Sequence, residues 1–251
     1  MSDIGRVVPM PVRRSAQAAA AGVSGAVSGA GAAARRLSEE APGTVDDWGR
    51  DPALVRGLML AAQFRWSVTV GGDHNLPKRK GALIIVNTRR YALAPVFTAF
   101  AISRAVDRPV RFVGRPDDAP VGAFARRVGA LLDDADEVRG ALRAGELVVL
   151  GAAPSPTPRE VGRVDHFHVG AAVSAEVPVY PTATTSTPFT RRARVEVGTY
   201  VRSRHRRRGP LAELELADQI AEEIGLLLDE LGDLNTGWPF EQINFGGFGG
   251  S

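Results

Sequence analysis

The chain has 251 residues, with 31 basic against 28 acidic side chains and a formal net charge of +3. Two of the basic residues are lysines and 29 are arginines, so the sequence is arginine-rich rather than strongly cationic, and net charge gives no case for nucleic-acid binding. Cysteine is absent, which excludes a disulfide framework, a thiol nucleophile and a Cys-ligated metal, and a 44% hydrophobic fraction suits one ordinary core.

Residues 1–45 differ from the rest. An Ala/Gly/Ser run from Ala18 to Ala34 is closed by Arg35 and Arg36, and its glycines each cost about 1 kcal/mol of helix propensity. The run is too weakly apolar to span a membrane, and no leucine-rich stretch follows Arg13 and Arg14 as a secretory signal requires. Residues 1–45 are therefore expected to be a flexible extension. Gly29–Ala34 matches a G-x-G-x-x-A dinucleotide fingerprint, but no strand precedes it, so the motif lacks its context.

From Asp51 the pattern becomes globular. Leu54, Leu58, Leu60, Ala61 and Phe64 form a helical stripe, with Asp51-Pro52 supplying the cap and first turn. Trp66–Val70 alternates as a strand, Gly71-Gly72-Asp73 is a turn, and Ala82–Val86 is a continuous apolar run expected of a strand buried on both faces. Tyr91–Ala105 has helical period, Val110–Val113 reads as strand, and Phe124–Val128 and Glu137–Arg143 read as helices. Leu147–Leu150 is a second buried strand, Val169–Ala175 a small-residue helix, and Val177–Thr182 and Arg194–Val201 are strands. Leu211–Leu231 carries an amphipathic helix with acids outward, and Gly246–Ser251 is a glycine-rich tail. Strands alternating with helices predict a single α/β domain over residues 46–232, a mixed sheet flanked by helices, with 233–251 as a tail.

Several phrases occur in a fixed order. Gly72-Asp73-His74-Asn75-Leu76-Pro77 is followed by the strand Gly81–Asn87, then by Arg111-Phe112-Val113 and Arg126–Ala130. Leu142–Leu150, Phe167–Ala172 and Val177–Pro181 complete the series. In order and spacing these resemble the PlsC-like glycerolipid acyltransferases, the 1-acylglycerol-3-phosphate acyltransferase family. The resemblance covers residues 50–230. It implies a glycerolipid-acyltransferase-like fold, peripheral to the inner, cytoplasmic face of the membrane, that moves an acyl group from acyl-CoA or acyl-carrier protein to a lysophospholipid. It implies no cofactor.

The family's chemistry needs a histidine as general base on the acceptor hydroxyl, oriented by an aspartate five residues later. Here Thr88 stands at the histidine's place and Leu93 at the aspartate's. Threonine cannot accept a proton near neutral pH, and leucine orients nothing. Asp133, Asp134 and Ala135 fill the region of the family's phosphate-gripping arginine, and Gly151–Thr157 lacks its acidic loop. The expectation is a degenerate site that keeps a groove for a membrane phospholipid or acyl chain beneath Asn87–Tyr91, with Asn87, Arg89 and Arg90 as ligand contacts. The partner would be that lipid, or an active paralogue.

Two alternatives rest on other residues. In Asp165-His166-Phe167-His168, an extended backbone would put His166 and His168 on one face. Either is a candidate relocated base for an acyl-CoA-dependent enzyme, His166 with Asp165 or Asp133 as its partner. No partner cluster with metal-ligand spacing accompanies them, so no metal is expected. His74 reads as a solvated loop side chain. Arg202, Arg204, Arg206, Arg207 and Arg208 surround His205, with Arg191, Arg192 and Arg194 before them. Such a cluster gains about 1 kcal/mol per arginine at an anionic membrane surface, and without interleaved aromatics it does not suit nucleic acid. A non-enzymatic module whose arginine loop docks an acidic protein is the second alternative. No nucleophile elbow or Walker loop is present.

Overall fold

The structure, a computed structural model, describes residues 45–65, 67–89, 93–155, 157, 160–186, 192–202 and 209–232. The N-terminal extension, the C-terminal tail, Arg90, Arg191 and Arg204–Arg208 lie outside the described residues.

The helices are α1 (Pro52–Arg65), α2 (Ala94–Ala105), α3 (Val121–Val128), α4 (Ala135–Arg143), α5 (His166–Ser174) and α6 (Pro210–Leu231). The strands are β1 (Ser67–Gly71), β2 (Ala82–Val86), β3 (Val110–Val113), β4 (Ala130–Leu131), β5 (Leu147–Gly151), β6 (Val179–Ser186) and β7 (Arg192–Val197). They form one seven-stranded sheet in the order β1-β7-β6-β2-β5-β3-β4. Strands β6, β2, β5, β3 and β4 run parallel, whereas β7 is antiparallel to β6 and carries β1 parallel to itself. The mixed sheet follows from this one reversal.

Ala82–Val86 is fully buried because both its faces are covered. Ala82, Ile84 and Val86 pack with Phe97 and Ile102 of α2 and with Val128 of α3. Leu83 and Ile85 face the other way, into a cluster with Val138 of α4, Val169 of α5 and Ile220 and Ile224 of α6. The result is a three-layer α/β/α sandwich. Strand β7 instead alternates, with Ala193, Val195 and Val197 buried and Arg192 and Arg194 exposed.

Several local expectations need correction. The four residues Asp165–His168 are not extended: Asp165 caps α5, its Oδ1 accepting from the Phe167 amide at 2.9 Å, and the helix begins at His166. At about 100° per residue, His166 and His168 then diverge rather than share a face. Helices α3 and α4 start earlier than their apolar stripes suggest, α4 because Asp134 caps it through the Asp136 and Glu137 amides. Strand β6 begins at Val179 and reaches Ser186, β7 ends at Val197, and the short β4 pairs with β3.

The amino-terminal described segment is pinned beneath the sheet. Arg111 of β3 is almost wholly buried, 2.7 Å from Asp46 and 3.2 Å from Glu146, with the Trp48 ring over its guanidinium. Arg50 lies alongside, and burial followed by the Arg111 charge lowers its affinity for its proton. Asp51 caps α1 through the Ala53 and Leu54 amides and meets Arg127 at 2.6 Å.

Candidate functional site

In an open α/β sheet, ligands bind outside the carboxyl ends of the strands, where neighbouring strands send their connections to opposite faces. Strands β2 and β5 are such neighbours: α2 leaves β2 over one face and α5 leaves β5 over the other. Thr88 lies at this point, and here the crevice is stitched across. The Ala152 amide donates to the Val86 carbonyl at 2.8 Å, and the Ser155 amide donates to the Thr88 carbonyl at 3.1 Å. The Thr88 hydroxyl donates to the Ala152 carbonyl at 2.5 Å, and the Ser155 amide hydrogen bond belongs to a parallel bridge between Arg89 and Ser155. Thr88 is only 8% exposed.

Asn87, expected as a ligand contact, engages both ends of its amide with the β6 backbone. Its Nδ2 donates to the Thr184 carbonyl at 3.0 Å and its Oδ1 accepts from the Thr184 amide at 2.7 Å. It thus extends the β2–β6 pairing by one peptide-like unit. Arg89 is half-buried at the rim, and Arg90 lies outside the described residues.

Leu93 faces outward, 60% exposed, at the N-terminus of α2. It forms one end of a groove of about 610 Å³ between α1, β1 and α2. Met59, Val68, Val70, Val96, Phe97 and Phe100 make an apolar wall, and Arg104 lies toward the other end of α2. Leu93 to Ala105 covers twelve helical steps, about 18 Å along the axis. The groove lies on the sheet face that carries α2 and runs along that helix; Arg90 and Tyr91, in the stretch expected to cover a groove, lie outside the described residues.

The phrase Gly72–Pro77 folds as a 3₁₀ turn over Asp73–Asn75, pinned to β7 by Asn75 Nδ2 donating to Val197 at 3.0 Å. Gly72 has φ of 67°, and a Cβ there would meet the Val197 carbonyl oxygen at 2.0 Å, so glycine is required. His74 on this turn is exposed.

The two candidate bases fare differently. His166 is half-buried, its ring 4.2 Å from that of Phe167. His168 is 3% exposed, with Nδ1 2.8 Å from Asp165 Oδ2 and Nε2 3.3 Å from Asp133 Oδ1. Burial is the strongest influence on Asp165 and pushes its carboxyl up, but hydrogen bonds from the Phe167 amide and His168, with the charges of His168 and His166, hold it below its ordinary value. An ionised carboxylate only accepts, so His168 Nδ1 is the donor in its contact with Asp165. This set lies among α4, α5 and the end of β4, on the sheet face opposite the groove. Sequence spacing could not bring Asp133 to it; the signal that could have placed His168 is the Asp165 cap before an apolar run.

Of the arginine cluster, Arg202 is exposed and packs its guanidinium 5.0 Å from the centre of the Tyr200 ring. Among the described residues no helix is long and apolar enough to cross a membrane.

No family model and no curated protein sequence matches the chain. Among solved structures, the 1-acyl-sn-glycerophosphate acyltransferase PlsC from Thermotoga maritima is similar, with a TM-score of 0.51 at 13% sequence identity, covering 71% of this chain and 81% of that one. The seven-stranded sheet flanked by helices is thus an acyltransferase-like fold, the one seen in PlsC.

Proposed function

We propose that this protein is a non-catalytic relative of the PlsC-like acyltransferases that holds a lipid acyl chain in the groove along α2, acting as a lipid- or partner-binding protein in phospholipid metabolism. The observation that carries the reading is the state of Thr88. A buried hydroxyl that already donates to the Ala152 carbonyl offers no base to an acceptor alcohol, and the outward-facing Leu93 offers no carboxylate to orient one. The apolar groove beside it is intact, with a cation, Arg104, toward the far end to meet an anionic headgroup or carboxylate. An apolar trough with few polar groups suits an acyl chain.

The groove is tested by titrating the full chain with a fluorescent long-chain fatty acid. Saturable one-site binding is expected, weakened at least tenfold by Leu93→Asp, which puts a charge at the exposed mouth. It is weakened about two- to fivefold by Arg104→Ala, the scale of one exposed ion pair. Binding that never saturates, or that ignores Leu93→Asp, removes the acyl reading. The peripheral-membrane part of the proposal, at the cytoplasmic face, rests on the arginine-rich stretch from Arg202 to Arg208. Co-sedimentation with anionic vesicles at low salt, lost when these arginines are neutralised, supports it; no binding at low salt points to an acidic protein partner or an active paralogue instead.

A second reading is favoured by one contact. The 2.8 Å pairing of His168 Nδ1 with Asp165 has the form of a base and its orienter. Under that reading the protein transfers acyl groups from acyl-CoA, and His168→Ala abolishes turnover.

A further inference from the structure

The surroundings of His168 Nε2 raise a question of charge. With Nδ1 turned to Asp165 at 2.8 Å, Nε2 on the other side of the ring faces a carboxylate oxygen of Asp133, 3.3 Å away. Nε2 is buried and has no hydrogen-bond partner among the described residues, so the short approach is not a hydrogen bond. A metal ion bridging the two atoms would give both a partner.

We infer that His168 Nε2 and the Asp133 carboxylate form a binding site for a divalent transition-metal ion of the zinc class, with Asp165 fixing the imidazole from behind. Three features fit. Ligand atoms about 2.0–2.1 Å from a tetrahedral ion stand roughly 3.3–3.4 Å apart, the separation of Nε2 and Asp133 Oδ1. A metal-binding histidine characteristically donates its other ring N–H to a carboxylate, which sets tautomer and orientation, and Asp165 supplies that acceptor at 2.8 Å. Asp133, Asp165 and His168 form one cluster with polar atoms within 4.8 Å of one another, so the ligand pair and the supporting acceptor are already assembled. Imidazole with carboxylate suits zinc, nickel or copper, whereas magnesium prefers an all-oxygen shell. Asp133 is 75% exposed, so the carboxylate side of the pair is open to solvent. Bound there, the ion would tie the segment before α4 to the start of α5. The inference is independent of whether the α2 groove takes an acyl chain.

The test uses the full chain stripped with chelator and titrated with Zn²⁺ against a chromogenic competitor. One saturable equivalent is expected, unaffected by millimolar Mg²⁺. Asp133→Asn alters an exposed side chain and leaves the metal-free melting temperature unchanged, yet should weaken Zn²⁺ binding at least tenfold. Asp165→Asn keeps a good helix cap but weakens the acceptor behind the ring, and should cost 10–100-fold in affinity. Substituting Co²⁺ should give the visible absorption of a tetrahedral site, absent in Asp133→Asn. A wild-type chain without a saturable equivalent, or unchanged affinity in Asp133→Asn, overturns the assignment, including the case where other histidines bind the ion.

Discussion

The hydroxyl of Thr88 donates to the carbonyl oxygen of Ala152 at 2.5 Å, joining the second residue after β2 to the first residue after β5. These two strands send their chains to opposite faces of the sheet, and the space between such ends is where α/β proteins expose chemistry to a ligand. Here the same space is filled by backbone and a methyl group. An ideal Cβ on Gly151 would lie 2.6 Å from Thr88 Cγ2 and 3.0 Å from Pro95 Cγ.

That contact makes a packing prediction. Gly151→Ala should destabilise the protein by about 1–3 kcal/mol through overpacking. Thr88→Ser removes Cγ2 while keeping the hydroxyl, so the double variant Gly151→Ala/Thr88→Ser should recover part of the loss. Denaturant melts of the four proteins measure the coupling; strictly additive effects would mean the two residues are not in contact.

Much of the scaffold behind this contact is legible in the sequence. Ala82–Val86 and Leu147–Leu150 announce themselves as buried strands because helices cover both faces, leaving no polar alternation. The Asp51 cap is equally readable, since its carboxylate acts on amides two and three residues away. What escapes is set by distant partners. Two residues, Ala130–Leu131, carry no periodic signal and become a strand only by pairing with β3. Asn87 is a plausible ligand contact until Thr184, far away in sequence, takes both ends of its amide. Asp133 meets His168 only because α4 and α5 pack together.

A pH prediction follows from Asp51. Its hydrogen bond from Arg127, reinforced by the Leu54 and Ala53 amides, holds the carboxyl below its ordinary value despite burial. A folded-state value below the unfolded value of about 3.9 means the contribution is present above that pH and lost as pH falls through the lower folded value. Asp51→Asn keeps a capping oxygen but not the charge. The variant should be less stable than wild type by about 1.5–3 kcal/mol at pH 7, and the gap should narrow below about pH 4. Thermal melts across pH 7 to 2.5 check this; a gap independent of pH would contradict the ion-pair account.

Restoring the histidine and aspartate alone should not create an enzyme. Under the proposed reading, Thr88→His/Leu93→Asp still has Asp133 and Asp134 in the region expected to hold a phosphate-binding arginine, and Gly151–Thr157 contains no acidic residue. Product formation from acyl-CoA and lysophosphatidic acid by the double variant should stay at the no-protein rate. Turnover restored by these two changes would mean that the rest of the site is complete.

The most direct measurement is the same assay on the unaltered chain, with acyl-CoA retention followed in parallel. The account predicts that the protein binds the acyl donor saturably while phosphatidic acid forms no faster than in buffer. Sustained phosphatidic acid production by the wild-type chain would contradict it, and loss of that activity in His168→Ala would move the chemistry to the Asp165–His168 pair.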